Sequence, residues 1–235
     1  MHARGNALVL SSELEGAALL RALNGIAPDI LFTACVAVPP EFRPRQASER
    51  WYRYFEPLDG RRVESWTRAA ELFSGAVDVR SLGRDIPGDR PAWRPVEKVV
   101  VAARPPWIVV DVRARSFVWG MVRRMISAMR AVDEGALSLP DLKAALAGGR
   151  RLALPLAEPD RLVLWEVHYP LAWETRARTL SQRQRAYWEQ QTRRAQMRSQ
   201  LSTLVTETAG GPAGEALAPL QGMLTETDPL MPLLP

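Results

Sequence analysis

The stretch from Pro95 to Ala114 constrains the fold most. "PVEKVVVAA" and "PWIVVDVRA" are both rich in β-branched residues, and only Arg104-Pro105-Pro106 and their immediate neighbours separate them. Two such runs with so short a connection read as an antiparallel hairpin, because a parallel pairing needs a crossover of a dozen residues or more. "RWYRYFE" (50–56) and "RLVLWEVHY" (161–169) alternate in the same way and supply further strands. Helical patterns lie between them. Asp59 is placed to cap a helix through about Phe73, with Val63, Trp66, Ala70 and Phe73 facing inward. Ser116 is placed to cap "FVWGMVRRMISAMRAVDEG", closed by Gly135, and Ser138 to cap "LPDLKAALAGG". The fold class is therefore α+β: one mixed or antiparallel sheet with helices on one side.

The first forty residues read less uniformly. "ALVL" (7–10) alternates like a strand directly after a short polar stretch, His2-Ala3-Arg4-Gly5-Asn6. Ser12 is placed to cap a helix with Leu14, Ala17, Ala18, Leu20 and Ala22 on one face, stopped at Asn24-Gly25. "DILFTACVAV" reads as a buried strand of Ile30, Phe32, Ala34 and Val36, with Cys35 a core residue. From about 171 a long helical pattern dense in Arg and Gln carries Leu180, Tyr187, Trp188, Met197, Leu201 and Leu204. A loop rich in Gly, Pro and Arg is expected over roughly 81–94, and the Gly/Pro-rich end carries acids and no base. The resulting division is 1–80 for the remainder of an N-terminal catalytic subdomain and 81–170 for a C-terminal α+β subdomain. A basic helix over 171–206 and a flexible acidic tail over 207–235 complete it.

Composition narrows the chemistry. One cysteine excludes an intramolecular disulfide, and with only His2 and His168 a metal site built on Cys or His is not expected. No run approaches the roughly 18 apolar residues of a membrane span, and no basic-then-apolar leader opens the chain, so a cytoplasmic location is expected. Neither a G-x-x-x-x-G-K-[ST] nor a G-x-G-x-x-G loop is present, nor an arguable Ser/His/Asp set; His168 reads as a surface residue. The net charge is +5, and Lys98 and Lys143 are the only lysines. So arginine-rich a chain suits phosphate and base recognition, although a GC-rich genome or a hot environment gives the same composition.

Two segments carry candidate chemistry. In "RPRQASERWYRYF", Tyr52 and Tyr54 fall on one strand face, a platform on which bases could stack, and Arg43, Arg45, Arg50 and Arg53 could hold phosphates. A buried sheet with tyrosine hydroxyls at its rim is the plainer alternative. In "RARSFVWGMVRRM", an arginine sits among Met121, Val122 and Met125 with no carboxylate near it in sequence, and a buried unpaired charge is costly.

These stretches resemble a known family. "FVWGMVRRMISAM", the short Leu-rich helix and "LPLAEPDRLVLWEVHYP" resemble the C-terminal half of the TruA-type tRNA pseudouridine synthases, in a form most like archaeal members. "SERWYRYF" resembles the family's Arg-x-Tyr-x-Tyr strand, and "ALLRALNGIAPDILFTACVAVPPEFRPR" the helix, strand and Phe-x-x-Arg segment before it. The resemblance runs from about His2 to Pro170. It implies isomerisation of uridine to pseudouridine at positions 38 to 40 of the tRNA anticodon arm, without cofactor or metal, by a homodimer that holds tRNA in a basic cleft. It implies that Tyr52 packs on the target base, that Arg123 pairs with the nucleophilic aspartate, that Arg45 faces RNA, and that Tyr54 is structural. Where the family has an acidic residue and Gly before Leu162, this chain has Asp160-Arg161.

The family's nucleophile stands in an Arg-Thr-Asp-x-Gly-Val-His loop, and His2-Ala3-Arg4-Gly5-Asn6 matches the residues after its Val. The nucleophilic Asp is thus not present in this chain and is expected about three residues before Met1. A valine codon read as a start would leave it out, and in-frame translation upstream is then expected to give Arg-Thr-Asp-x-Gly after a β-α-β segment. The alternatives are a catalytically inactive tRNA-binding remnant and a plain structural domain. The chain by itself is expected to be inactive and poorly soluble, because missing strands leave an open sheet edge.

Overall fold

The computed structural model describes residues 2–83, 86, 92–173, 175–176 and 179–210, with backbone alone at 175–176 and 204–210. Its elements run β1 (His2–Ala3), α1 (Gly16–Ile26), β2 (Ala34–Cys35), β3 (Glu49–Pro57), α2 (Val63–Glu71), β4 (Gly75–Asp78) and β5 (Trp93–Val96). They continue with β6 (Lys98–Arg104), β7 (Trp107–Ala114), α3 (Met121–Asp133), α4 (Leu139–Leu146), β8 (Leu162–His168), β9 (Thr175–Arg176) and α5 (Gln182–Gly210). They form two compact units. The first holds Met1–Leu8 and Arg43–Pro170; the second holds Val9–Phe42 and the described residues from Leu171 on.

The first unit is built on a five-stranded sheet in the order β1-β8-β3-β7-β6. All its pairings are antiparallel except β1 with β8, so the expected mixed sheet is present. The β6–β7 hairpin forms as read, with Arg104 opposite Trp107. Side chains alternate across β3. Tyr54 opposite Val110 faces α2, α3 and α4, where Trp66, Phe73, Met125 and Met129 close the core. Trp51 opposite Arg113 and Arg53 opposite Asp111 occupy the other face, beside Trp165. A second pairing, β4 with β5, lies partly where a loop was expected; the rest of that loop is outside the described residues.

Helix boundaries depart from the sequence reading in a consistent way. Ser138 does cap α4, accepting from the Asp141 backbone N–H. Ser116 does not cap α3, whose N-cap is Gly120, and α2 begins after Arg62 instead of Asp59. A polar cap offers only about 1 kcal/mol, and packing of the following turn against the sheet overrides it. Gly135, at φ 74°, does close α3.

The second unit overturns more of the reading. "ALVL", though its first two residues belong to the first unit, is no strand; Leu8, Val9 and Leu10 are exposed and β1 lies earlier, at His2–Ala3. The Ser12 hydroxyl accepts from Leu14 N, while α1 begins at Gly16. The strand expected over 30–36 shrinks to β2, paired with β9; Ile30 is exposed and Cys35 is half-buried. Asn24 is no helix stop. Its buried amide accepts from Phe32 N (2.9 Å) and from Gln184 Nε2 (2.9 Å) and donates to Phe32 O (3.0 Å). Gln184, fully buried, also donates to Ile30 O at 2.8 Å, which ties the start of α5 to the end of α1. Satisfied buried amides of this kind specify one arrangement where apolar contacts are few. The tail expected beyond 207 lies, from residue 211 on, outside the described residues.

Candidate active site

β3 sets the site. Tyr52 alternates with Trp51 and so points to the helix face, where its ring meets Phe117 edge-on at 5.0 Å. Burial raises its hydroxyl above the usual range, and the charge of Arg50 draws it part of the way back. At neutral pH the ring therefore presents a neutral phenol. Arg50 lies two residues earlier on the same face. Its Nη1 donates to Arg115 O (2.6 Å) and its Nη2 to Arg45 O (3.0 Å). That one guanidinium joins the turn Pro44–Gln46 to the segment that carries Phe117. The Arg45 side chain itself is exposed and forms no ion pair among the described residues.

Arg123 lies in the first turn of α3 and is half-buried. Its Nε donates to Ala157 O, and its own carbonyl accepts from Ala157 N at 3.3 Å. No carboxylate of the described residues pairs with it. The structure thus joins Arg45 and Tyr52 through Arg50 and Phe117, and anchors Arg123 separately on the strap before β8. Sequence reasoning named Arg50 as one of four arginines that could hold phosphates, and the structure turns it to the carbonyls of Arg115 and Arg45 instead. Phe117 was missed as a site residue. The signal for Arg50 was its place two residues before Tyr52 on one strand face.

The neighbouring Arg124 donates to Leu82 O (3.4 Å) and lies 5.9 Å from the Trp119 ring centre. Gly120, at φ 77°, makes this turn possible: a Cβ there would fall 2.6 Å from Arg124 Nη1 and 2.9 Å from Leu156 Cδ2. Gly120→Ala is therefore expected to cost about 1–2 kcal/mol for the left-handed backbone alone. Urea unfolding of the two proteins checks this, and equal midpoints would refute it.

Two readings of arginines and tyrosines are corrected. Arg53 holds no phosphate: it is fully buried, with Nε 2.7 Å from Asp111 Oδ1 and Nη2 2.8 Å from Oδ2. Tyr54 is no stacking platform but is fully buried, and its hydroxyl donates to Glu158 Oε2 at 3.0 Å. Burial first, and then Glu158, push that hydroxyl above its usual range. The same Glu158 oxygen accepts from Arg130 Nη2 (2.8 Å), which holds the carboxyl down to about 2. Arg130 also reaches the buried Glu56 (2.8 Å), as does Arg61 (2.9 Å). Arg161, standing where the family has glycine, lies 3.7 Å from the same Glu56. His168 is exposed, 3.6 Å from Glu49 and from Glu166. Among the described residues no cluster of His, Cys, Asp or Glu could hold a metal ion, and no helix is long and apolar enough to cross a membrane.

Comparison with known proteins places the chain in a family. Residues 69–170 fit the model of the tRNA pseudouridine synthases. Among curated proteins, the chain is 34% identical over 160 residues to tRNA pseudouridine synthase A of Thermococcus kodakarensis, covering 68% of this chain and 60% of that protein. It is 31% identical over 173 residues to its counterpart from Thermococcus gammatolerans (73% and 64%). For Methanothermobacter thermautotrophicus the figure is 32% over 174 residues (72% and 61%). The chain belongs to the TruA type of this family. It spans less than two thirds of the length of these relatives.

Proposed function

We propose that the protein is a tRNA pseudouridine synthase that converts uridine to pseudouridine in the anticodon arm, at positions 38 to 40. The observation that carries this is the likeness to tRNA pseudouridine synthases, and two side chains on separate elements, Tyr52 and Arg123, suit that chemistry. A neutral phenol ring is fixed by Phe117, and a guanidinium is anchored by Nε alone, with no carboxylate partner among the described residues. In this reading a uridine flipped out of its stem stacks on Tyr52, and unstacking it costs a few kcal/mol. The terminal nitrogens of Arg123 hold an aspartate ionised, as a nucleophile requires. That carboxylate bonds to the sugar C1′ as the N1–C1′ bond breaks and the uracil leaves as an anion. The base turns, and its C5 bonds to C1′ as the carboxylate–sugar bond breaks and frees the carboxylate. The proton lost from C5 is balanced by one taken up at N1. No cofactor enters the scheme. Arg45, exposed beside the Arg50 clamp, lies against the RNA backbone. The protein works in the cytoplasm as a homodimer.

The test is pseudouridine formation by the full-length gene product on a tRNA transcript with uridines in the anticodon arm. Tyr52→Ala is expected to reduce turnover about 10- to 100-fold, the worth of roughly 1–3 kcal/mol of base stacking. Tyr52→Phe keeps the ring and is expected to stay within a few-fold of the parent. A full-length product that binds the transcript and makes no pseudouridine would instead favour the inactive RNA-binding alternative.

A further inference from the structure

We propose that the arginine row on α5 is a second RNA-backbone contact, outside the region that fits the family model. The inference rests on the reading that the ligand is RNA. Arg183, Arg194 and Arg198 fall within about 60° of one another around the helix and span about 22 Å along it. Arg193 lies beside them. Every side chain from Thr192 to Thr203 is exposed. Of these arginines, Arg183 donates through Nη1 to Gly25 O at 3.1 Å; none forms an ion pair among the described residues. Glu189, four residues before Arg193, does not pair with it.

Arg194 and Arg198 are like charges one turn apart, an arrangement that destabilises a helix unless something neutralises it. No acid within the second unit does so among the described residues. The row also borders a groove between Pro28 and α5, walled by Arg183, Tyr187, Gln190 and Arg193 and by one acid, Glu189. A planar, always-charged fork on an exposed stem suits phosphate oxygens better than a hydrated ammonium would, and the whole row is arginine. A nucleic-acid duplex carries a charge about every 1.7 Å, so a row of about 22 Å meets several phosphates at once. A single acidic side chain of a protein partner would engage one guanidinium and leave the others repelling.

The experiment compares tRNA binding by the parent chain, Arg194→Glu/Arg198→Glu and Arg194→Gln/Arg198→Gln, by filter retention between about 50 and 200 mM salt. Circular dichroism at each point establishes that helix content is kept. Reversal is expected to raise the dissociation constant at least about tenfold at roughly 100 mM salt, and neutralisation less. Loss of two phosphate contacts is expected to flatten the slope of log K against log salt by about 1.4–1.8. Helical variants with the parent's affinity and slope overturn the proposal. So does a parent chain that binds no tRNA, or a change confined to the oligomeric mass in light scattering, which would make the row a contact between copies. Should the full-length parent form no pseudouridine while reversal weakens binding, the α5 contact stands and the synthase reading falls. The opposite pair of results keeps the synthase reading and removes the α5 contact.

Discussion

Asp111→Ala is expected to destabilise the first unit by about 3–5 kcal/mol, because it removes the carboxylate to which two nitrogens of a fully buried guanidinium donate. Arg53 sits directly across β3–β7 from Asp111, and neither side chain has any exposed surface. The guanidinium also lies beside two indoles, 4.0 Å from the Trp165 ring centre and 5.6 Å from that of Trp51. Arg4 lies 4.6 Å from the Trp165 ring centre and Arg113 4.4 Å from that of Trp51. The indoles stabilise the cation but cannot accept its N–H groups in-plane as a carboxylate does. Water cannot replace the lost carboxylate in so closed a setting, so the penalty is the desolvation of Arg53 and not merely one hydrogen bond. The double variant Arg53→Met/Asp111→Leu removes both charges at similar volume and is expected to recover most of the loss. Chemical denaturation of the three proteins decides the matter: a double variant as unstable as the single would show that packing, not charge, sets the cost.

Arg123→Ala in the full-length gene product is expected to lower pseudouridine formation at least about a hundredfold, with little change in tRNA affinity. In the proposed scheme the guanidinium holds the reacting carboxylate, and removing a charge partner of this kind typically costs about 3 kcal/mol or more at the reacting centre. Its Nε also ties α3 to Ala157, so the alanine variant loses a structural tie as well. Arg123→Lys separates the two roles. Lysine keeps the charge but loses the fork, which anchors through one nitrogen and reaches with the others. It is expected to recover a fraction of turnover and none of the geometry, with a thermal midpoint close to that of the alanine variant. Turnover of Arg123→Ala within a few-fold of the parent would remove Arg123 from the chemistry.

Much of the first unit was legible because its signals are local. The β6–β7 hairpin comes from two β-branched runs with almost nothing between them. Ser138 caps α4 because Asp141 N lies within its reach. The pairing of faces on β3 comes from alternation, which by itself sets Tyr52 apart from Trp51 and Arg53. The candidate site residues were named only through resemblance: several motifs in one order point to Tyr52, Arg45 and Arg123, whereas periodicity alone leaves each of them open to a structural role.

The second unit was read poorly for the converse reason. Its short chain segments bury little, so alternation at 7–10 and 30–36 had no sheet to act on, and two buried amides, Asn24 and Gln184, hold what apolar packing does not.

By itself the sequence determined the α+β class, the hairpin, the strand faces and the family, since each rests on patterns within one segment or on motifs in order. Only the tertiary structure decided which arginines are bound and which are exposed. Arg53 and Arg45 look alike in "RPRQASERWYRYF", yet one is locked to Asp111, 58 residues away, and the other stands open on a turn. Arg161, foreign to the family's pattern, is drawn toward Glu56 from across β3. A charge's role is set by its partner and by the water it keeps, and both come from chain segments far removed in sequence.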